Sequence, residues 1–240
     1  MRVKAVISYD GSQYQGFQKQ RSTNTTITAA IQEALSSLQI HSPIVGSGRT
    51  DAGVHATGQV IHFDLPEFWN DLEKLKLNLN RKLTDIFFKH ISLVPNDFHA
   101  RFSAKKRIYR YVFKTQKPSV FEQKYVSYYQ EFNPELLIKA LKTFEGKHDF
   151  NFFHKTGTVT HTTVREIYRT DYRERNGYHF IYFQSNGFLR SQVRIMVDAA
   201  MLCARGDMSE MELQEQLNCQ KKHTTKLAPP EGLYLAKIIY

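Results

Sequence analysis

Gly46-Ser47-Gly48-Arg49-Thr50-Asp51-Ala52-Gly53-Val54-His55-Ala56 is the stretch from which the rest of the chain is best read. It lies between two apolar runs, residues 43–45 and 60–63, both short and rich in β-branched or aromatic side chains. That pattern predicts two strands with a loop between them. The glycines let the backbone turn sharply or approach another segment closely. Into this turn the chain places one cation (Arg49), one carboxylate (Asp51) and one imidazole (His55). Loops held by strands are where folds tend to carry their chemistry. The same composition also suits an ordinary turn whose Asp caps the backbone while Arg49 is solvated. Taken alone, the loop leaves both readings open.

Working outward, residues 3–9 alternate as a first strand and run into a loop of glycines, amides and aromatics, residues 10–20. That loop reads equally as a polar connector or as a surface offering amides and rings to nucleic acid. Ile27, Ala30, Ile31, Ala34, Leu35 and Leu38 mark one face of a helix, with Thr25 or Thr26 as its N-cap. Leu72, Leu75, Leu79 and Leu83 mark a second helix, and residues 85–94 a further strand. The order strand, helix, strand, strand, helix, strand suggests a ferredoxin-like unit with both helices on one side.

The second part of the chain repeats this plan. Ile108, Arg110 and Val112 alternate with Tyr109, Tyr111 and Phe113 along a strand. Asn133 and Pro134 open a helix with Leu137, Ala140, Leu141 and Phe144 inward, and Gly146 ends it. Residues 163–172 and 178–184 form a hairpin turning at Arg175-Asn176-Gly177. A helix with Val193, Met196, Val197, Ala200 and Met201 inward follows, carrying Arg194 four residues after Arg190. Ser209 and Glu212 form a capping box, and a terminal strand begins after Ala228-Pro229-Pro230-Glu231-Gly232.

Composition narrows the function. The 240 residues carry a formal net charge of +10 and 13% aromatic side chains, the footprint of a protein whose cations meet phosphates and whose rings stack on bases. No apolar run approaches the roughly 20 residues of a membrane span, and residues 1–4 lead into a strand pattern rather than a signal peptide. The two cysteines, Cys203 and Cys219, lack zinc-ligand spacing and form no disulfide framework. A cytoplasmic protein is expected. There is no phosphate-binding glycine loop with its Lys, and His55 with His62 makes a poor metal site without partners.

Residues 48–56, taken whole, resemble the signature of the tRNA pseudouridine synthase A family. The resemblance recurs in order along nearly the whole chain. A Tyr-Asp-Gly start stands at residues 9–11, Asp-Phe-His-Ala-Arg-Phe-Ser-Ala at residues 97–104, and Tyr-Arg-Tyr at residues 109–111. Further matches are Gln192-Val193-Arg194-Ile195 and Gly232-Leu233-Tyr234-Leu235. Three positions depart from the family's habit. Phe17 stands where a Trp is usual, Asp198 where a small residue is common, and Ser191 at a variable place.

The resemblance implies an α+β fold of two ferredoxin-like α/β halves sharing a mixed, mainly antiparallel sheet with a central RNA-binding cleft. Residues 1–103 form the half with the catalytic loop, and residues 104–240 complete the cleft. It implies an isomerase that breaks the C1′–N1 bond of a uridine, turns the uracil over and joins its C5 to C1′. The substrates expected are uridines 38 to 40 of the tRNA anticodon arm, handled by a homodimer without metal or organic cofactor. Asp51 matches the family's nucleophile, a role a carboxylate suits because it can attack carbon and later leave. Attack on C1′, attack on the uracil ring and a glycal route all remain open.

Arg194 matches the arginine that pairs with that Asp and keeps it ionised. Tyr109 matches the ring stacked on the flipped uracil, Arg49 a cation inserted where the base was, and Leu233 a side chain packed beneath the base. Lys105, Lys106, Arg107, Arg165 and Arg169 are candidates for a phosphate track. Competing expectations are the same chemistry on another RNA uridine, a non-catalytic RNA-binding protein on this scaffold, and a hydrolase using Asp51 with His55.

Overall fold

The computed structural model describes residues 1–157 and 160–240. Its strands and α-helices run β1 (Arg2–Tyr9), α1 (Ile27–Ser36), β2 (Val45–Gly46), β3 (His55–Asp64), α2 (Leu72–Lys82), β4 (Ile86–Leu93), β5 (Lys106–Lys114), β6 (Ser127–Tyr128), α3 (Pro134–Thr143), β7 (Gly146–Asp149), β8 (Val164–Arg175), β9 (Tyr178–Ser185), α4 (Gln192–Arg205), α5 (Glu210–Leu217) and β10 (Leu233–Ile239). The class is α+β. The chain divides into two compact units, one of Met1–Lys105 with Tyr234–Tyr240 and one of Lys106–Leu233.

In the first unit β1 lies between β3 and β4, antiparallel to both. The other edge of β3 is shared. β2 takes its far part, with Val45 opposite His62, and β10 runs parallel beside its start, with Tyr234 opposite His55. The order β4-β1-β3-β2 is that of the ferredoxin-like unit predicted above, and the terminal strand of the chain is added to it. The alternation read in β1 sorts its faces, with Val3, Ala5 and Ile7 fully buried. Ile27, Ile31 and Leu35 of α1 and Leu75 and Leu79 of α2 belong to the same core. Thr26 is the N-cap of α1, its hydroxyl accepting from the Ala29 amide. Leu83 is not an inward helical residue; it is the C-cap of α2 in extended conformation, its amide donating to Leu79. Of the apolar run at residues 43–45 only Val45 enters the two-residue β2: Pro43 has no amide to pair, and the Asp64 amide of β3 donates to the Ser42 hydroxyl instead.

In the second unit the order is β5-β9-β8-β7, antiparallel throughout, with the short β6 parallel to β5. The β8–β9 hairpin turns at Asn176 and Gly177, both with positive φ (53° and 75°), the backbone that a two-residue turn between right-twisted strands requires. Leu137, Ala140, Leu141 and Phe144 of the α3 region are buried together with Val193, Met196, Val197, Ala200 and Met201 of α4. The capping box at Ser209 and Glu212 opens α5.

Two outcomes follow. At Gly58, β3 has no room for a side chain, since a Cβ would lie 2.3 Å from the Ala236 carbonyl oxygen of β10. Gly58→Ala is expected to pry β10 from β3 and to cost about 1–3 kcal/mol, the range for overpacking a filled site, read as a lower urea midpoint. In the second unit Glu122 accepts from the Tyr178 hydroxyl, from Ser119 and from Lys114. These bonds, Tyr178's foremost, hold its carboxyl down to about 2. A depressed carboxylate contributes stability above its unfolded value, and that contribution disappears as pH falls through the folded one. Glu122→Gln should therefore lower the urea midpoint at neutral pH and flatten its decline between about pH 4.5 and 2.

Candidate active site

In the first unit, residues 47–54 form the connection between β2 and β3, and two sets of contacts give it its shape. The first comes from β3. Gln59, fully buried, accepts from the Ser47 hydroxyl at 2.7 Å and donates to the Gly48 carbonyl at 2.8 Å. The Ser47 amide continues the ladder to Val60 at 2.8 Å. The second set comes from the loop after β1. The Phe17 amide donates to the Thr50 carbonyl at 3.0 Å, and the Gly53 amide to the Tyr14 carbonyl at 3.3 Å. The Tyr9 and Thr50 hydroxyls share a hydrogen bond of 2.8 Å. Burial pushes the Tyr9 phenol far above its ordinary range, so it stays protonated as a structural partner.

The two loops interlock because three glycines lack a side chain. A Cβ on Gly11 would lie 2.0 Å from the Val54 carbonyl oxygen, one on Gly46 2.4 Å from the Phe17 ring, and one on Gly16 3.0 Å from the Thr50 carbonyl oxygen. Phe17, only 1% exposed, fills the space under the turn. Its ring is thus not among those that residues 10–20 could offer to RNA, and Tyr14 is the half-buried ring of that loop. Gln13, Gln15, Gln18, Lys19 and Gln20 are the exposed part of that loop. At the apex Asp51 is half-buried, its carbonyl accepting from the Val54 amide at 3.2 Å, and Arg49 is exposed.

His55, at the start of β3, is buried. It is 1% exposed, its Nδ1 accepts from the Gly11 amide at 3.0 Å and lies 3.2 Å from Asp10, and its ring stacks on Tyr234 at 4.8 Å. Such a histidine braces the loop through the Gly11 amide. His62, the other histidine of β3, accepts from the Ala100 amide at 3.1 Å. Among the described residues no group of three or more His, Cys, Asp or Glu side chains is arranged to hold a metal ion, and no helix is long and apolar enough to cross a membrane.

The second unit holds Tyr109, Arg194 and Leu233. Tyr109 lies on β5 opposite Phe183 of β9, is 7% exposed, and meets Phe188 edge-on at 5.1 Å. Arg194 stands in the first turn of α4. Its Nε donates to the Ala228 carbonyl at 2.7 Å, and its own carbonyl accepts from the Ala228 amide at 3.1 Å. Leu233 is 5% exposed and follows Gly232, where a Cβ would lie 2.5 Å from the Ser127 hydroxyl and 2.6 Å from the Val112 carbonyl oxygen.

Arg190 does not share a helix with Arg194, contrary to the i, i+4 reading. The helix starts at Gln192 because Ser191 is left-handed (φ 59°) and the Gln192 side chain accepts from the Leu189 amide at 2.8 Å. Of the remaining basic candidates in this unit, Arg107 donates to the Asn186 carbonyl at 2.6 Å, Arg165 to the Thr162 carbonyl at 2.9 Å, and Lys106 lies 5.2 Å from the centre of the Tyr168 ring. Gln59 and Ala228 are the contributors that motif reading missed. A glutamine directly before the apolar run at residues 60–63 was a legible signal, since a buried amide requires partners. Nothing in the sequence marks Ala228, which acts through its backbone.

A family model described as tRNA pseudouridine synthase matches residues 5–103 and 140–240. The tRNA pseudouridine synthase A of Helicobacter hepaticus is 41% identical over 243 residues, covering 99% of this chain and 98% of that one. The protein of the same name from Campylobacter jejuni strain RM1221 is 38% identical over 241 residues, covering all of both chains. That of Lactococcus lactis subsp. cremoris is 37% identical over 247 residues, covering 100% of this chain and 97% of the relative. The family match takes in the braced loop with Arg49 and Asp51 and the segments of Arg194 and Leu233, and the relatives extend it through Tyr109. The chain belongs to the tRNA pseudouridine synthase family of isomerases.

Proposed function

We propose that the protein converts uridine to pseudouridine at positions 38 to 40 of the tRNA anticodon arm, with Asp51 as nucleophile. The observation that carries this reading is the Asp51 loop itself. A carboxylate stands at the apex of a turn braced from two sides, and it is the only carboxylate of the motif that resembles the family signature. A nucleophile must be held in place before it reacts, because orientation supplies much of a covalent step's advantage.

In this reading the target base leaves its stack, at a cost of a few kcal/mol. Arg49 occupies the space it vacates and contacts phosphate, its planar cation suiting both tasks. Tyr109 stacks on the freed uracil, and Leu233 packs beneath it. Arg194 supplies the positive charge that keeps the Asp51 carboxylate ionised. These roles rest on the resemblance of each residue's segment to the family's motifs. The same resemblance supports a cytoplasmic homodimer that uses no metal and no cofactor, with one tRNA spanning both subunits.

Pseudouridine mapping of bulk tRNA incubated with wild type and with Asp51→Ala tests reaction and nucleophile together. New pseudouridine in the anticodon arm is expected with wild type alone. Modification elsewhere in the tRNA would move the substrate site, and binding without modification by the wild type would favour a non-catalytic RNA-binding protein.

The charge of +10 yields a second expectation. Released counterions make log Kd for tRNA rise linearly with log salt concentration. Titrations between about 50 and 200 mM salt should weaken binding by at least tenfold, and an affinity independent of ionic strength would contradict a phosphate-led interface.

A further inference from the structure

We infer that Asp198 is a positioning residue for Arg194, acting through the segment that links α5 to β10. The inference rests on the reading of Arg194 as a catalytic group. Asp198 lies four residues after Arg194 on α4, so the two are neighbours one turn apart on the helix surface. The Asp198 Oδ2 accepts from the Thr224 hydroxyl at 2.7 Å, and Thr224 is 6% exposed. Four residues beyond Thr224 comes Ala228, the residue that bonds Arg194 in both directions.

A closed circuit results. It runs from Asp198 to Thr224, along the backbone to Ala228, across to Arg194, and back one turn of α4 to Asp198.

Residues 221–229 form no helix or strand, so beyond the Ala228 amide bond to Arg194 the segment is positioned by side chains. On the α5 side, Gln216 is fully buried; its Oε1 accepts from the His223 amide at 2.7 Å and the Thr224 amide at 2.9 Å, and its Nε2 donates to the Thr224 carbonyl at 2.9 Å and the Phe152 carbonyl at 3.2 Å. His223 adds a contact of 2.7 Å to Glu215. On the α4 side the tie is the Asp198 carboxylate. The two anchors do different work. Gln216 holds the segment in its fold, and Asp198 sets its distance from the helix that carries Arg194. Removing the carboxylate leaves the α5 anchor and the Ala228 amide bond to the Arg194 carbonyl intact while loosening the segment on its α4 side, and with it the carbonyl that aims the Arg194 guanidinium. Small displacements of a reacting group cost far more rate than binding.

The test compares Asp198→Ala, Asp198→Asn, Thr224→Val and the double variant Asp198→Ala/Thr224→Val with wild type. Each is measured for single-turnover pseudouridine formation on tRNA, for tRNA affinity and for thermal unfolding. Asp198→Ala should slow the single-turnover step on the order of 10- to 100-fold, with Kd for tRNA within about twofold and the unfolding temperature close to wild type. Thr224→Val, which loses the same bond and also the one its hydroxyl accepts from the Lys226 amide, should be at least as slow, and the double variant should be no slower than Thr224→Val alone. Asp198→Asn should recover most of the rate, since its amide oxygen can still accept from Thr224.

A wild-type rate in Asp198→Ala overturns the inference. So does an Asp198→Asn protein as slow as the alanine variant, or a rate loss matched by equal losses in affinity or unfolding temperature, which would mark a purely structural role. An inactive Asp51→Ala beside a fully active Asp198→Ala overturns this inference alone. An active Asp51→Ala overturns the functional reading beneath it.

Discussion

The first unit depends on the close approach of two loops. The Asp51 turn and the loop after β1 come together so tightly that Gly11 faces the Val54 carbonyl, Gly16 the Thr50 carbonyl and Gly46 the ring of Phe17. Side chains at those places would part the segments, and parting them would break the bonds from Phe17 to Thr50 and from Gly53 to Tyr14. Phe17 supplies the apolar floor on which both loops rest. Burying a ring of that size contributes about 1.5–3 kcal/mol, and here it is spent on the shape of a turn. The chemistry of a carboxylate would be of little use on a turn free to change conformation.

Polar groups complete what the glycines allow. A turn sunk among buried segments leaves amides and carbonyls that water cannot reach, and each needs a partner. Gln59 satisfies Ser47 and the Gly48 carbonyl, Tyr9 satisfies Thr50, and His55 satisfies the Gly11 amide. These side chains come from β1 and β3, adjacent antiparallel strands. The loop is therefore held by the rigid part of its own unit, and Asp10 and Tyr234 brace His55 in turn.

The second unit solves a similar problem for a cation. Arg194 has a long side chain with many rotamers, and only a partner can limit them. That partner is a backbone carbonyl, Ala228, on a stretch without regular structure. Irregular segments make dependable partners only when side chains pin them, and Gln216 and Asp198 do so here. Leu233 is placed by a different device, the absence of a side chain at Gly232 beside Ser127 and Val112.

The residues by themselves determined most of the elements and their order, the strands β6 and β7 excepted. Period-two alternation marked β1 and β5, i, i+3, i+4 spacing marked α1, α3 and α4, and Asn176-Gly177 marked the hairpin, since each of these is set by neighbours in the chain. The motif around Asp51 was legible for the same reason, its residue types and spacing being local. Tertiary structure alone decided that Phe17 turns inward, that His55 takes the Gly11 amide, that Arg190 falls outside α4, and that Ala228 holds Arg194. It also decided that the last strand joins β3, closing the first unit with residues from the other end of the chain. These facts depend on which distant backbone groups lack a hydrogen-bond partner and on where an atom's width of space remains, and neither quantity exists until the segments have met.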